Sequence, residues 1–90
     1  MTITDDTTLI TEWIEENPYR PGPANVRIRG YRNSVWAIIG DLPAYKDDAA
    51  ALAEDFDLSV ESVEAARVYY RRNREVIDAR LAANWIARDH

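Results

Sequence analysis

The sequence predicts one mainly α-helical domain, and three observations lead there. The chain has 90 residues, 47% of them hydrophobic, with 3 Gly and 4 Pro. That is enough apolar surface for a single core and too little chain for two. Apolar residues recur at helical spacing along most of the length. Pro and Gly concentrate between Asn17 and Gly30, and none interrupts residues 60–90.

The elements follow in order. Leu9, Ile10, Trp13 and Ile14 make an amphipathic helix over Thr7–Glu16, with Asp6 or Thr7 as its N-cap. Asn17-Pro18 ends it, because a residue before Pro is pushed out of the α region. Pro18, Pro21, Gly22 and Pro23 predict a stiff, extended connector. Val26-Arg27-Ile28-Arg29 alternates apolar and basic residues, which predicts one short strand with Val26 and Ile28 inward and a turn at Gly30. Asn33 or Ser34 then caps a helix whose Val35, Trp36, Ile38, Ile39 and Leu42 are apolar on nearly every side, so it belongs mid-core. Pro43 closes it.

Asp47 or Asp48 caps a second core helix from Ala49 to Asp55 or Phe56. Ser59 caps a third, with Leu58 and Val63 as its hydrophobic staple. In the third helix Val63, Ala66, Tyr70, Ile77, Leu81 and Trp85 form one apolar stripe. If unbroken it runs about 40 Å, longer than the roughly 30 Å diameter of a domain this size. Its tip then needs a partner, or the chain bends near Asn73 or Asn84.

Ala50–Val63 has the arrangement of a helix-turn-helix: small residues where helices cross, Leu52 and Phe56 inward, and Asp57 at the turn position where Gly is usual. The expected architecture is therefore a helix-turn-helix (winged-helix or homeodomain-like) three-helix core over residues 34–72. An N-terminal helix with an Arg-rich arm precedes it over 1–33, and a helical extension follows over 73–90, all within a single domain.

Composition narrows the function. There is no Cys, and the only His is His90, so thiol nucleophiles, His triads and thiolate or His metal clusters are excluded. An enzyme is not expected, nor a metal or cofactor. Asp55-Phe56-Asp57-Leu58-Ser59 matches the start of a calcium loop, but the loop's Gly is missing and Ala66 stands where its bidentate Glu belongs. No apolar run approaches the ~20 residues of a membrane span. Met1–Asp6 lacks the basic start of a secretory signal. A cytoplasmic chain without a membrane partner is expected.

The net charge of −5 hides alternating blocks. Residues 1–18 and 47–64 carry acids and no base. Residues 19–46 carry five bases against Asp41, and residues 65–90 carry six Arg against three acids. Arg20, Arg27, Arg29, Tyr31 and Arg32 are thus candidate DNA contacts on the arm, by phosphate grip or groove entry. Ser59 and Ser62 are candidates at the start of the recognition helix, where Glu61 and Glu64 are electrostatically unfavourable. The basic blocks equally suit pairing with the acidic blocks, or a dimerisation strand. Arg67, Arg71 and Arg74 form a stripe that reads as a solvated helix face.

Asn17–Ala24, Val26–Gly40, Ala53–Leu58, Val63–Tyr70 and Ile77–Asn84 together resemble domain-of-unknown-function family 433, small VapB-like antitoxins with a helix-turn-helix core. The resemblance covers about residues 9–84. Where family members commonly read Gly-Thr-Arg-Ile-Pro-Val, this chain has Gly30-Tyr31-Arg32-Asn33-Ser34-Val35. The resemblance implies an antitoxin that inhibits a co-encoded PIN-like, metal-dependent ribonuclease toxin and autoregulates its operon by binding operator DNA. It further implies a homodimer or a hetero-oligomer with the toxin. PIN-type sites gather carboxylates around Mg²⁺, which an inserted Arg would engage. Arg80 and Arg88, beside Leu81, Trp85 and Ile86, are the candidate partner-binding residues of that account. A stand-alone helix-turn-helix regulator and a protein-interaction adaptor that leaves DNA untouched are the alternative readings.

Overall fold

The computed structural model describes residues 5–88, with side chains described through Asn84. The chain is mainly helical with one small two-stranded sheet.

Helix α1 spans Asp6–Trp13, starting one residue earlier and ending three residues earlier than its spacing predicts. Asp5 is the N-cap, and its carboxylate accepts from the Thr8 N–H at 3.0 Å. The next two residues leave the helix because they have a better partner. Ile14–Glu15 is strand β1, antiparallel to β2 at Arg27–Ile28, with Ile14 opposite Ile28 and Glu15 opposite Arg27. Ile14 and Ile28 enter the core while Glu15 and Arg27 face outward. The sheet therefore has two strands where the sequence predicts one. Its connector winds into a 3-10 turn at Pro23–Asn25 instead of staying extended. Gly30, at φ +82°, is the turn residue expected of it.

Helix α2 (Val35–Asp41) starts after Ser34 and buries only one face. Val35 and Ile38 are wholly buried, whereas Trp36 and Ile39 are half-buried on the flank, so the helix is not enclosed on all sides. A 3-10 turn at Leu42–Tyr45 follows.

Helix α3 (Ala49–Phe56) has the expected bounds. The Asp48 carboxylate accepts from the N–H groups of Ala50 and Ala51 at 3.0 and 3.2 Å. Asp57, at φ +59°, takes the left-handed position of the turn. Helix α4 (Val60–Arg72) begins at Ser59, whose Oγ accepts from the Ser62 N–H at 3.2 Å. Leu58 and Val63 are both buried, as a staple requires.

The long C-terminal helix is broken at Asn73. There the backbone turns to φ −133°, ψ 38°, and helix α5 runs on over Arg74–Arg88. The Asn73 side-chain N–H donates to the Tyr69 carbonyl at 3.0 Å, replacing a ladder bond that the break removes. The bend lets α5 fold back along α2, with Ile77 wholly buried. Of the two outcomes open to an overlong helix, bending near Asn73 is the one observed.

Helix α4 is the centre of the molecule, because α1, α2 and α3 all pack against it. Ile28, Val35, Ile38, Leu52, Val63 and Ile77 are the largest wholly buried hydrophobic side chains of the core. No helix among the described residues is long and apolar enough to cross a membrane.

Candidate functional site

Two surfaces stand out, one over the small sheet and one between α2 and α5. The arm comes first. Its outward residues Arg27 and Glu15 are ion-paired at 2.7 Å. Arg29 turns back to the end of α1 and donates to the carbonyls of Thr11, Glu12 and Ile14 at 3.0–3.2 Å. It thereby satisfies carbonyls that a helix C-terminus leaves bare. Neither arginine is a free cation. Both hold the arm to α1 and β1, as in the reading that pairs basic with acidic blocks.

Arg20, Tyr31 and Arg32 are exposed. Among the described residues, Arg20 and Arg32 make no ion pair. A cleft of about 550 Å³ opens between the two turns of this region, lined by Glu15, Asn17, Tyr19, Arg27, Tyr31 and Arg32 among others. The Asn17 side chain accepts from the N–H of Tyr19 at 2.9 Å, an Asx turn that holds the first tyrosine out. The Tyr31 N–H donates to the Ile28 carbonyl at 3.0 Å, closing the turn through Gly30. Tyr19 is 85% exposed. Tyr19 and Asn17 are absent from the sequence-derived candidates. The signal for them was the paired dipeptides Tyr19-Arg20 and Tyr31-Arg32, each in a turn.

At the start of α4 the two candidate serines serve the helix itself. Ser59 is its N-cap, and Ser62 is wholly buried with its Oγ donating to the Ser59 carbonyl at 2.7 Å. Ser62 is thus corrected from a base contact to a buried capping partner. The exposed start of the helix presents Val60 and Glu61 instead.

The second surface is an open groove of about 910 Å³, lined by Trp36, Ile39, Pro43, Tyr70, Leu81 and Ala82 among others. Helices α2 and α5 approach closely beneath it because residue 40 is Gly. A Cβ there would lie 2.9 Å from Leu81 Cδ2. The Arg80 guanidinium stacks 4.4 Å from the Trp36 ring centroid. Tyr70 donates to the Asp78 carboxylate at 2.8 Å, which raises the phenol above its ordinary pKa by favouring the protonated form. Arg80 and Leu81, candidates for a partner, are therefore also engaged within the chain. The side chains of Trp85, Ile86 and Arg88 lie outside the described residues. Trp36, Ile39 and Tyr70 are groove residues that the sequence reading assigned to the core. An all-apolar helix gives no sign of which face the fold will leave open.

The basic stripe of Arg67, Arg71 and Arg74, which crosses from α4 into α5, is partly committed too. Arg67 bonds the Asp47 carbonyl at 3.3 Å, Arg72 bonds the Thr7 hydroxyl at 3.2 Å, and Arg74 sits 5.5 Å from the Tyr70 ring centroid. Among the described residues, no group of three or more His, Cys, Asp or Glu side chains is placed to hold a metal ion. Every buried side-chain polar atom described has a hydrogen-bond partner. Set against known protein families, curated proteins and solved structures, the chain finds no match.

Proposed function

We propose that this chain is an antitoxin: a small helical module that captures and inhibits a co-encoded PIN-like ribonuclease toxin and binds operator DNA. The observation that carries the toxin half is the open groove of Trp36, Ile39, Pro43, Tyr70 and Leu81 along α2 and α5. Half-buried aromatics beside an arginine are the side chains that dominate binding energy at protein interfaces. The resemblance to antitoxins of family 433 supplies the class of partner. In this account Trp36 and Leu81 anchor the toxin. Arg80 leaves the Trp36 ring to meet a carboxylate of the toxin's metal site, and Arg88 follows on the same helix.

The DNA half rests on the helix-turn-helix reading of α3 and α4, joined through Asp57-Leu58-Ser59. Because the exposed start of α4 is acidic, the arm with Arg20, Tyr31 and Arg32 is the better nucleic-acid surface. A dimer is part of this half, since paired half-sites need two modules.

Co-expression with the product of the neighbouring open reading frame tests the toxin half. The expected result is a stable complex and rescue from growth arrest, both weakened by Trp36→Ala and by Trp85→Ala with Arg88→Ala. Absence of a complex, or full affinity in both variants, overturns it. The adaptor reading is favoured by one observation, the acidic α4 start, and predicts a complex with no operator binding by the chain or by that complex.

A further inference from the structure

The cleft over the outer face of the sheet combines features that single out one class of ligand. Two tyrosines, Tyr19 and Tyr31, line it from two separate turns, and each is followed directly by an exposed arginine. Both turns are fixed locally: in the first the Asn17 side chain accepts from the N–H groups of Tyr19 and Arg20, and in the second Gly30 takes a positive φ. The rings are thus presented by ordered turns, and they are exposed, at 85% for Tyr19 and 39% for Tyr31. Neither ring lies in the core. The face between them carries Arg27, already neutralised by Glu15 at 2.7 Å, with Arg32 at the edge.

This geometry argues against an extended duplex site. A duplex coat needs many unpaired cations, whereas the arm commits Arg27 to Glu15 and Arg29 to the end of α1. Tyrosine rings bind the faces of bases, and in a duplex those faces are buried in the stack. An unpaired base offers its π-face to a tyrosine and its phosphate to a single arginine. A cleft of about 550 Å³ falls within the ~300–1,000 Å³ range of small-ligand sites.

We infer that the Tyr19–Tyr31 cleft binds an unpaired nucleotide unit, its base stacked on the tyrosines and its phosphate held by Arg32. The inference goes beyond the proposed function: the ligand of this cleft is an unstacked nucleotide, within a single strand or free, and not operator duplex.

Fluorescence anisotropy of the full chain with labelled hexathymidylate tests it, with the same strand annealed to its complement, dTMP and inorganic phosphate as the other arms. Hexathymidylate binds more tightly than the duplex. Tyr19→Ala with Tyr31→Ala weakens it about tenfold or more, consistent with the loss of base–aromatic stacking. Tyr19→Phe with Tyr31→Phe keeps the affinity, because the π-face remains. Arg32→Gln lowers the salt slope by about 0.7, the loss of one phosphate contact on a single strand. Both tyrosines are exposed, so unchanged far-UV circular dichroism of each variant verifies the fold. Competition by dTMP as effective as by the hexamer assigns the site to a free nucleotide, and preference for the hexamer assigns it to a strand.

Duplex binding tighter than single-strand binding overturns the inference and leaves operator binding intact. Competition by inorganic phosphate as effective as by dTMP overturns it as well. So does an unaffected double-alanine variant, or tyrosine-dependent capture of a proline-rich peptide with no oligonucleotide bound. If the toxin is captured but no oligonucleotide binds, the inference falls while the antitoxin reading stands. Oligonucleotide binding without toxin capture gives the reverse.

Discussion

Replacing Arg29 by Ala removes three hydrogen bonds at the C-terminal end of α1 at once. The side chain is half exposed, and the bonds are charge-assisted, so the expected cost is about 1–2 kcal/mol. Urea denaturation with an unchanged slope and a lower midpoint checks it. Arg29→Lys recovers only part of the loss, because an ammonium lacks the planar fork that reaches several carbonyls together.

The tyrosines give a second test at this scale. Burial pushes the Tyr69 hydroxyl above its usual value of 10.0, and Tyr70 is raised chiefly by its bond to Asp78. A pKa raised in the folded state means stability that is complete below the unfolded value and lost as pH climbs through the folded one. The chain is therefore expected to lose stability above about pH 10. In Asp78→Asn the Tyr70 titration, followed by tyrosinate absorbance, should move down toward the ordinary range. A Tyr70 titration unmoved by that change would show that the bond is not formed in solution.

At the scale of elements, α5 is held by few but well-buried contacts. Ile77 is wholly buried, and Leu81 packs where Gly40 lets α2 come close. Ile77→Ala is expected to cost about 2–5 kcal/mol, a large fraction of the stability of a domain this size. Hydrogen exchange should then show α5 opening before α4, since α4 carries the rest of the core. The N-cap of α4 makes a smaller contribution: Ser59→Ala is expected to lose about 1 kcal/mol in the same denaturation assay. Its effect should add to that of Ile77→Ala if the two sites are independent.

For the whole molecule, the decisive arrangement is that α1 and β1 belong to the same core as α2, α3 and α4. Helix α1 lies along α4, and β1 supplies the partner of β2. Residues 34–72 are thus expected not to fold alone. A chain lacking residues 1–15 should lose its cooperative thermal transition by circular dichroism, because Ile14 leaves a gap beside Ile28 and exposes one face of α4. A sharp transition in the truncated chain would instead identify the first elements as an appendage.

Much of this was readable from residues close together in sequence. The cap at Ser59, the staple of Leu58 and Val63, and the turn at Gly30 each depend on partners within about five positions, so composition and spacing were enough, whereas between Asp47 and Asp48 the structure chose Asp48. Strand β1 was not readable. Ile14 and Glu15 continue a helical pattern, and only pairing with Ile28 and Arg27 draws them into a strand. The site divides the same way: the Tyr-Arg pairs lie in plain view, while the engagement of Arg27 and Arg29 does not.

Sequence by itself therefore determined the helical character, the Ser59 cap with its Leu58–Val63 staple, and the turn at Gly30, while the cap of α1 fell at Asp5 and not at Asp6 or Thr7. The features it determined follow from side-chain type and local spacing. Tertiary structure decided that the C-terminal helix bends at Asn73 rather than at Asn84 or not at all, that Ser62 is interior, and which face of α2 lines a groove. It also decided which arginines the chain keeps for its own carbonyls and carboxylates. Those outcomes are settled by contacts between residues far apart in the chain, where burial of Ile77 and the packing of α5 on α2 outweigh the local preference for one straight helix.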